Sequence, residues 1–145
     1  MIEEYENNSV ENPKYLFHGS PKLIEQIEQR HAYDSEHNPE NEDYAVFLTS
    51  SFVVATAYAF KDKIKENSTH WDFYIEYNNI IMNNVNTDDE QIGYVYVFKK
   101  DDLKIESKAG HQYKVKNTIK PIDIVKVKFE DYKKYYQINQ NIKKR

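Results

Sequence analysis

Apolar and polar positions run along this chain in short blocks, and the repeat switches between two and a helical spacing. Tyr15, Leu16 and Phe17 give the first apolar block, a strand predicted over Lys14–His18. Behind Ser20 and Pro21, which suit an N-cap and first helical position, Leu23, Ile24 and Ile27 recur at helical spacing, predicting a helix that ends near Arg30. His31 to Asp43 is polar and without period, so a loop is expected. Tyr44–Leu48 reads as a second strand. Thr49, Ser50 and Ser51 then offer caps for a helix over Phe52–Glu66, whose stripe is Val53, Ala57, Phe60 and Ile64, with Val54 and Tyr58 beside it.

The second half is mostly strand-like. Trp71, Phe73 and Ile75 alternate with polar residues, Ile80–Met82 is a short apolar piece before a polar loop, and Tyr94, Tyr96 and Phe98 alternate with Val95 and Val97. Short strands follow at Leu103–Glu106 and His111–Lys116 around a turn at Gly110, then a longer one over Ile122–Phe129. Glu130–Ile142 reads as a Tyr-rich amphipathic helix with a basic end. Strands with one clear helix in the first half define an α+β domain.

Composition narrows the picture. For 145 residues, 39% of them hydrophobic and 30% charged, one globular domain is expected. Its expected extent is 13–145, after a flexible, solvated arm over the acidic, Asn-rich residues 1–12. That arm does not resemble a signal peptide, and no apolar run is long enough to span a bilayer. With zero cysteines and no membrane signal, the expectation is a cytoplasmic protein in a reducing compartment. A net charge of −4 gives no electrostatic footprint for general nucleic-acid binding. The cluster His31, Asp34, Glu36 and His37 has no closed metal-site spacing, so no metal is expected.

Candidate chemistry centres on Tyr15-Leu16-Phe17-His18-Gly19-Ser20-Pro21. Only three glycines occur in the chain, and one directly follows a histidine at a strand end. Without a Cβ, Gly19 lets a ligand approach its backbone N–H and C=O, while His18 aims a ring nitrogen at the same ligand. The plain alternative is a strand that ends in a Gly-Ser-Pro turn. A second block, Val46-Phe47-Leu48-Thr49-Ser50-Ser51-Phe52, passes from strand through a polar turn into the helix that carries Tyr58.

In order and spacing, the two blocks resemble the ADP-ribosyltransferase fold, in its His-Tyr-Glu branch of poly(ADP-ribose) polymerases and rifampin ADP-ribosyltransferases. The resemblance covers Tyr15–Phe60 well and Gly93–Phe129 loosely. It implies two small packed sheets with a helix after the second strand, NAD as substrate, and transfer of ADP-ribose to an unidentified protein, nucleic-acid or small-molecule acceptor. On the matched positions, Gly19 would clamp the nicotinamide carboxamide, and Phe47 and Tyr58 would stack on its ring. Phe47 stands where the family usually has Tyr. His18 would donate a hydrogen bond to the adenosine ribose. Ser20 would reach a ribose hydroxyl or cap a helix, and Arg30 would face the diphosphate or solvent.

The family's Glu aligns with Gln112, which keeps a hydrogen bond to the ribose 2′-hydroxyl and loses the negative charge. Glu106 is the alternative acid if the register shifts. Core packing is the alternative for Phe47 and Tyr58, and a structural histidine for His18. The matched residues therefore imply either a transferase with His18, Tyr58 and Gln112 at its centre or an inactive relative that binds NAD, ADP-ribose or a protein.

Overall fold

The computed structural model describes residues 2–23, 30–32, 43–76, 79–115 and 120–140, with backbone alone at 30–32 and 43–45. The chain is α+β. Its larger sheet has seven antiparallel strands: β1 (Tyr15–Ser20), β2 (Arg30–Ala32), β3 (Asp43–Thr49), β6 (Ile92–Lys99), β7 (Ile105–Ala109), β8 (Gln112–Val115) and β9 (Asp123–Lys128). They lie in the order β7-β8-β3-β1-β6-β9, with β2 also paired to β3. A smaller sheet, β10-β5-β4, joins β4 (Asp72–Glu76), β5 (Asn79–Asn83) and β10 (Tyr136–Asn139). Three α-helices occur among the described residues: α1 (Ile2–Glu6), α2 (Phe52–Glu66) and α3 (Phe129–Tyr132).

Strand alternation sends side chains into two clusters. Phe17, Val95 and Val97 face α2, whereas Leu16, Val46, Leu48, Tyr96, Phe98, Tyr113 and Val115 bury a second cluster on the other face. Burial on both faces explains why β6 reads as a nearly continuous apolar run. The expected helix forms with the expected limits. Ser51 caps it by accepting a hydrogen bond from the Val54 N–H at 3.2 Å, and Lys63 and Lys65 lie in the last turn, where cations suit the helix dipole. The smaller sheet meets this helix through Tyr136, whose hydroxyl hydrogen-bonds Thr56 Oγ1 at 2.8 Å and whose ring lies 6.4 Å from that of Phe60. Burial pushes the Tyr136 phenol pKa up, so it stays protonated across the physiological range.

Two local readings are corrected. The N-terminal segment is not a loose arm: α1 buries Tyr5 against Tyr15, Phe17 and Phe52, and the Tyr5 hydroxyl donates to Asp123 Oδ2 at 2.8 Å. The Tyr5 ring docks the segment together with Glu4, which accepts from the Tyr15 hydroxyl and pairs with Lys14. The segment from Glu130 onward is not one helix. It makes the short α3 and a 3-10 turn at Lys133–Tyr135, and then enters β10, parallel to β5. There Asn139 Nδ2 donates to Asn83 Oδ1 at 2.8 Å and the Asn84 N–H donates to the Asn139 carbonyl at 2.7 Å. Tertiary pairing with Ile80–Met82, itself a buried strand, outweighs local helical spacing.

The expected loop His31–Asp43 begins and ends in strand, with Arg30 opposite Ala45 and Ala32 opposite Asp43; its interior and residues 24–29 of the expected helix before it lie outside the described residues.

Asn8 closes a gap at one end of the large sheet. Its Oδ1 accepts from the N–H groups of Lys14 and Tyr15, each at 3.1 Å, and its Nδ2 donates to the carbonyls of Tyr15 and Ser50, each at 2.9 Å. The side chain thus serves backbone groups that a neighbouring strand would otherwise satisfy. Asn8→Ala leaves part-buried partners unpaired and is expected to destabilise the fold by about 1–3 kcal/mol, read from the urea midpoint. A change within about 0.5 kcal/mol, as for an ordinary surface substitution, would refute this role.

Candidate functional site

The site begins where two central strands part. Strands β1 and β3 are registered through a single pair, Phe17 opposite Thr49, while β1 and β6 pair over six residues. Continuing that register would set Gly19 opposite Phe47. Instead, the Phe47 carbonyl accepts a hydrogen bond from His18 Nδ1 at 3.2 Å. A histidine ring stands in for the missing ladder.

The direction of the Gly19 backbone follows from its neighbours. The Lys14 carbonyl accepts from Lys100 N–H, in line with β6, whereas the Tyr15 carbonyl accepts from Asn8 on the opposite edge. Backbone groups alternate along a strand, so Phe17 and Gly19 turn theirs the same way as Tyr15, towards β3. Past Phe17, β3 provides no registered partner, and the Gly19 N–H and C=O face the opening.

That opening is a cavity of about 410 Å³, within the range of small-molecule sites. It brings together His18, Gly19 and Ser20 from the end of β1, Phe47 and Thr49 from β3, and Val54, Tyr58, Lys61 and Asp62 from one face of α2. Ala109, His111 and Gln112 from the β7–β8 hairpin and Ile75 from β4 also line it. Phe47 is 40% exposed and Tyr58 37%, which settles both against core packing. Gln112, paired with Thr49 at the start of β8, is exposed at the rim. Ser20 is buried, and its Oγ accepts from the Lys22 N–H at 3.2 Å, so it organises the turn after β1.

The missing Cβ of Gly19 has a different reason from the one the sequence suggests. It faces α2, where a Cβ would lie 1.9 Å from the Ala55 carbonyl oxygen and 2.8 Å from the Ala59 nitrogen. The glycine therefore admits the helix that carries Tyr58, and only the edge of its backbone faces the cavity.

Glu106 does not take part. It is exposed at a bulge in β7, three residues before Ala109, or about 10 Å along the strand, and outside the lining. Of the two sequence candidates for the third position, Gln112 is the one that lines the cavity. The Arg30 side chain lies outside the described residues. Among the described residues no cluster of three His, Asp or Glu is placed to hold a metal; the side chains of His31, Asp34, Glu36 and His37 lie outside them.

Sequence reasoning missed Lys61, Asp62 and His111. Lys61 is three residues beyond Tyr58, hence on the same helix face, and that spacing was the available signal. Its Nζ lies 4.9 Å from the centre of the Tyr58 ring. Burial first, then the neighbouring Lys65 charge, lowers its pKa below the ordinary lysine value, with Asp62 acting the other way.

Chemically, the cavity offers a backbone donor–acceptor pair, two exposed aromatic faces, an imidazole fixed through one nitrogen, a rim amide and a half-buried cation. His18 Nδ1–H donates to the Phe47 carbonyl, which fixes the orientation of the ring in the cavity wall. Comparison of the chain with protein-family models, curated proteins and solved structures finds no match in any of the three.

Gly19→Ala is expected to lose about 1–3 kcal/mol of stability or more, because backbone rather than a flexible side chain blocks the new methyl. Urea denaturation without ligand measures it. An unchanged midpoint would show that α2 does not press on β1 as described.

Proposed function

We propose that this cavity takes the nicotinamide end of NAD and that the protein transfers ADP-ribose, as its resemblance to the His-Tyr-Glu ADP-ribosyltransferases implies. One observation carries the reading: His18, Gly19, Phe47, Tyr58 and Gln112, drawn from four separate elements, line a single cavity at the parting of β1 and β3. Nicotinamide in NAD is a flat aromatic cation bearing a carboxamide. The Gly19 N–H and C=O match that amide as donor and acceptor, and the exposed rings of Phe47 and Tyr58 stack on the cationic ring. His18 orients the adenosine ribose.

In the reaction, the bond between the ribose C1″ carbon and the pyridinium nitrogen breaks, and its electron pair neutralises the departing nicotinamide. Positive charge grows on the sugar, as in glycoside cleavage. The acceptor's nucleophile bonds to that carbon and releases its proton. Gln112 holds the 2′-hydroxyl through its amide oxygen but brings no charge to the developing cation.

This substitution favours a second reading of the same site, a relative that binds NAD, ADP-ribose or a protein without turnover. Asp62 is the one carboxylate among the described lining residues, and it belongs to α2 rather than to the Gln112 position. The acceptor remains a protein side chain, a nucleic-acid base or a small-molecule hydroxyl. No helix among the described residues is long and apolar enough to cross a membrane.

Tyr58→Ala is expected to weaken nicotinamide or NAD binding by roughly 1–2 kcal/mol in calorimetry and to leave the unfolding midpoint unchanged, because the ring is 37% exposed. Absence of any nicotinamide-type binding by the wild type would sink the assignment.

Gln112→Glu tests the reaction itself. It is expected to raise NAD hydrolysis about tenfold, ~1.4 kcal/mol of transition-state stabilisation, at similar NAD affinity. If both forms bind NAD and neither releases nicotinamide, the binding reading replaces the transferase.

A further inference from the structure

Among the described residues, Lys61 is a half-buried cation of the cavity wall with no carboxylate partner. No carboxylate lies within ion-pair distance of its Nζ among the described residues, and its ammonium rests over the Tyr58 ring. Ion pairs do form elsewhere among the described residues, Lys14 with Glu4, Lys128 with Glu90 and Glu130, and Lys133 with Asp89; Lys65 and Lys134 also lie over rings, but of these ring-bound lysines only Lys61 lines the cavity. Asp62 is next in sequence on the same helix and lies at the same cavity, yet it does not form a pair with Lys61.

A desolvated ammonium in a cavity wall is poorly satisfied by a ring face alone, and burial already weighs against its charged form. A phosphate oxygen supplies what the ring does not: a full negative charge and a hydrogen-bond acceptor. The position fits such a group. Lys61 is one helical turn from Tyr58, so an anion that it binds sits beside whatever stacks on that ring.

We propose that Lys61 is the diphosphate-binding residue of this cavity, drawing selectivity towards a dinucleotide over free nicotinamide. This rests on the nicotinamide reading for the identity of the neighbouring group, but the anion site itself does not. Lys61 leaves the Tyr58 ring for the diphosphate, and in doing so frees that face for stacking. The residue thereby links recognition of the two halves of the ligand.

Calorimetry on the full chain with three separate probes (nicotinamide, NAD and inorganic diphosphate) tests this for wild type, Lys61→Met and Lys61→Arg. Methionine keeps the stem and removes the charge; arginine restores it. The expected result is that Lys61→Met weakens NAD and diphosphate about tenfold, keeps nicotinamide within about twofold, and makes NAD binding less sensitive to salt. Lys61→Arg recovers most of the loss. If NAD and diphosphate affinities ignore Lys61→Met while nicotinamide still binds, this proposal fails and the nicotinamide pocket stands. If nicotinamide weakens as much as NAD, Lys61 acts through the Tyr58 ring and the proposal fails again. Lys61-dependent diphosphate binding without nicotinamide binding upholds the anion site and overturns the nicotinamide reading. Binding of none of the three probes overturns both.

Discussion

The close approach of α2 to the large sheet is the constraint from which the rest of the arrangement follows. Ala55 and Ala59, one turn apart and fully buried, lie against Gly19 of β1 and Gly93 of β6. At Gly93 an added Cβ would come within 2.7 Å of the Ala59 Cβ. Small residues on both sides let helix and strand backbones nearly touch, so α2 has little freedom to slide or lift. Its next residues are positioned as a result. Tyr58 stands beside this contact, on the flank of the helix that overlooks the opening between β1 and β3, and Lys61 follows on the same flank.

The opening is stabilised on both sides of the one registered β1–β3 pair. Towards the N-terminal arm, Asn8 supplies four hydrogen bonds to backbone groups of Lys14, Tyr15 and Ser50. Towards the cavity, His18 holds the Phe47 carbonyl. Between them, ladder groups that a continuous sheet would pair internally are either met by side chains or left facing the cavity. A sheet parted in this way offers directional backbone groups at a place where ordinary strands offer none.

Much of the candidate site's placement was legible in the sequence because it sits in two compact blocks whose period is unambiguous. The strand–turn–helix from Val46 to Tyr58 forms as read and α2 has the expected limits, whereas the strand expected to stop at His18 runs on through Gly19 to Ser20, paired with β6. The failures share a physical cause. Residues 130–139 carry a helix-compatible spacing, yet after the short α3 and a 3-10 turn residues 136–139 are captured by a partner strand far away in sequence, which local pattern cannot reveal. Tyr5 reads as part of a solvated arm because its neighbours are acidic, yet its buried ring, its bond to Asp123 and the hydrogen bonds of Asn8 dock the segment. The role of Gly19 was half legible. Sequence marked the position as needing no side chain, but only the placement of α2 shows which neighbour occupies the space.

The parallel pairing of β10 with β5 also governs the order in which the molecule can be completed. Asn83 and Asn139, hydrogen-bonded across these strands, are 56 positions apart. During synthesis, the β4–β5 hairpin must wait with one edge unmatched while the intervening strands, which belong to the other sheet, emerge and assemble. Until then the edge of β5 that β10 covers has no strand partner. Completing the smaller sheet therefore depends on residues 136–139, whereas the cavity walls contributed by β1, β3 and α2 all come from the first 66 residues.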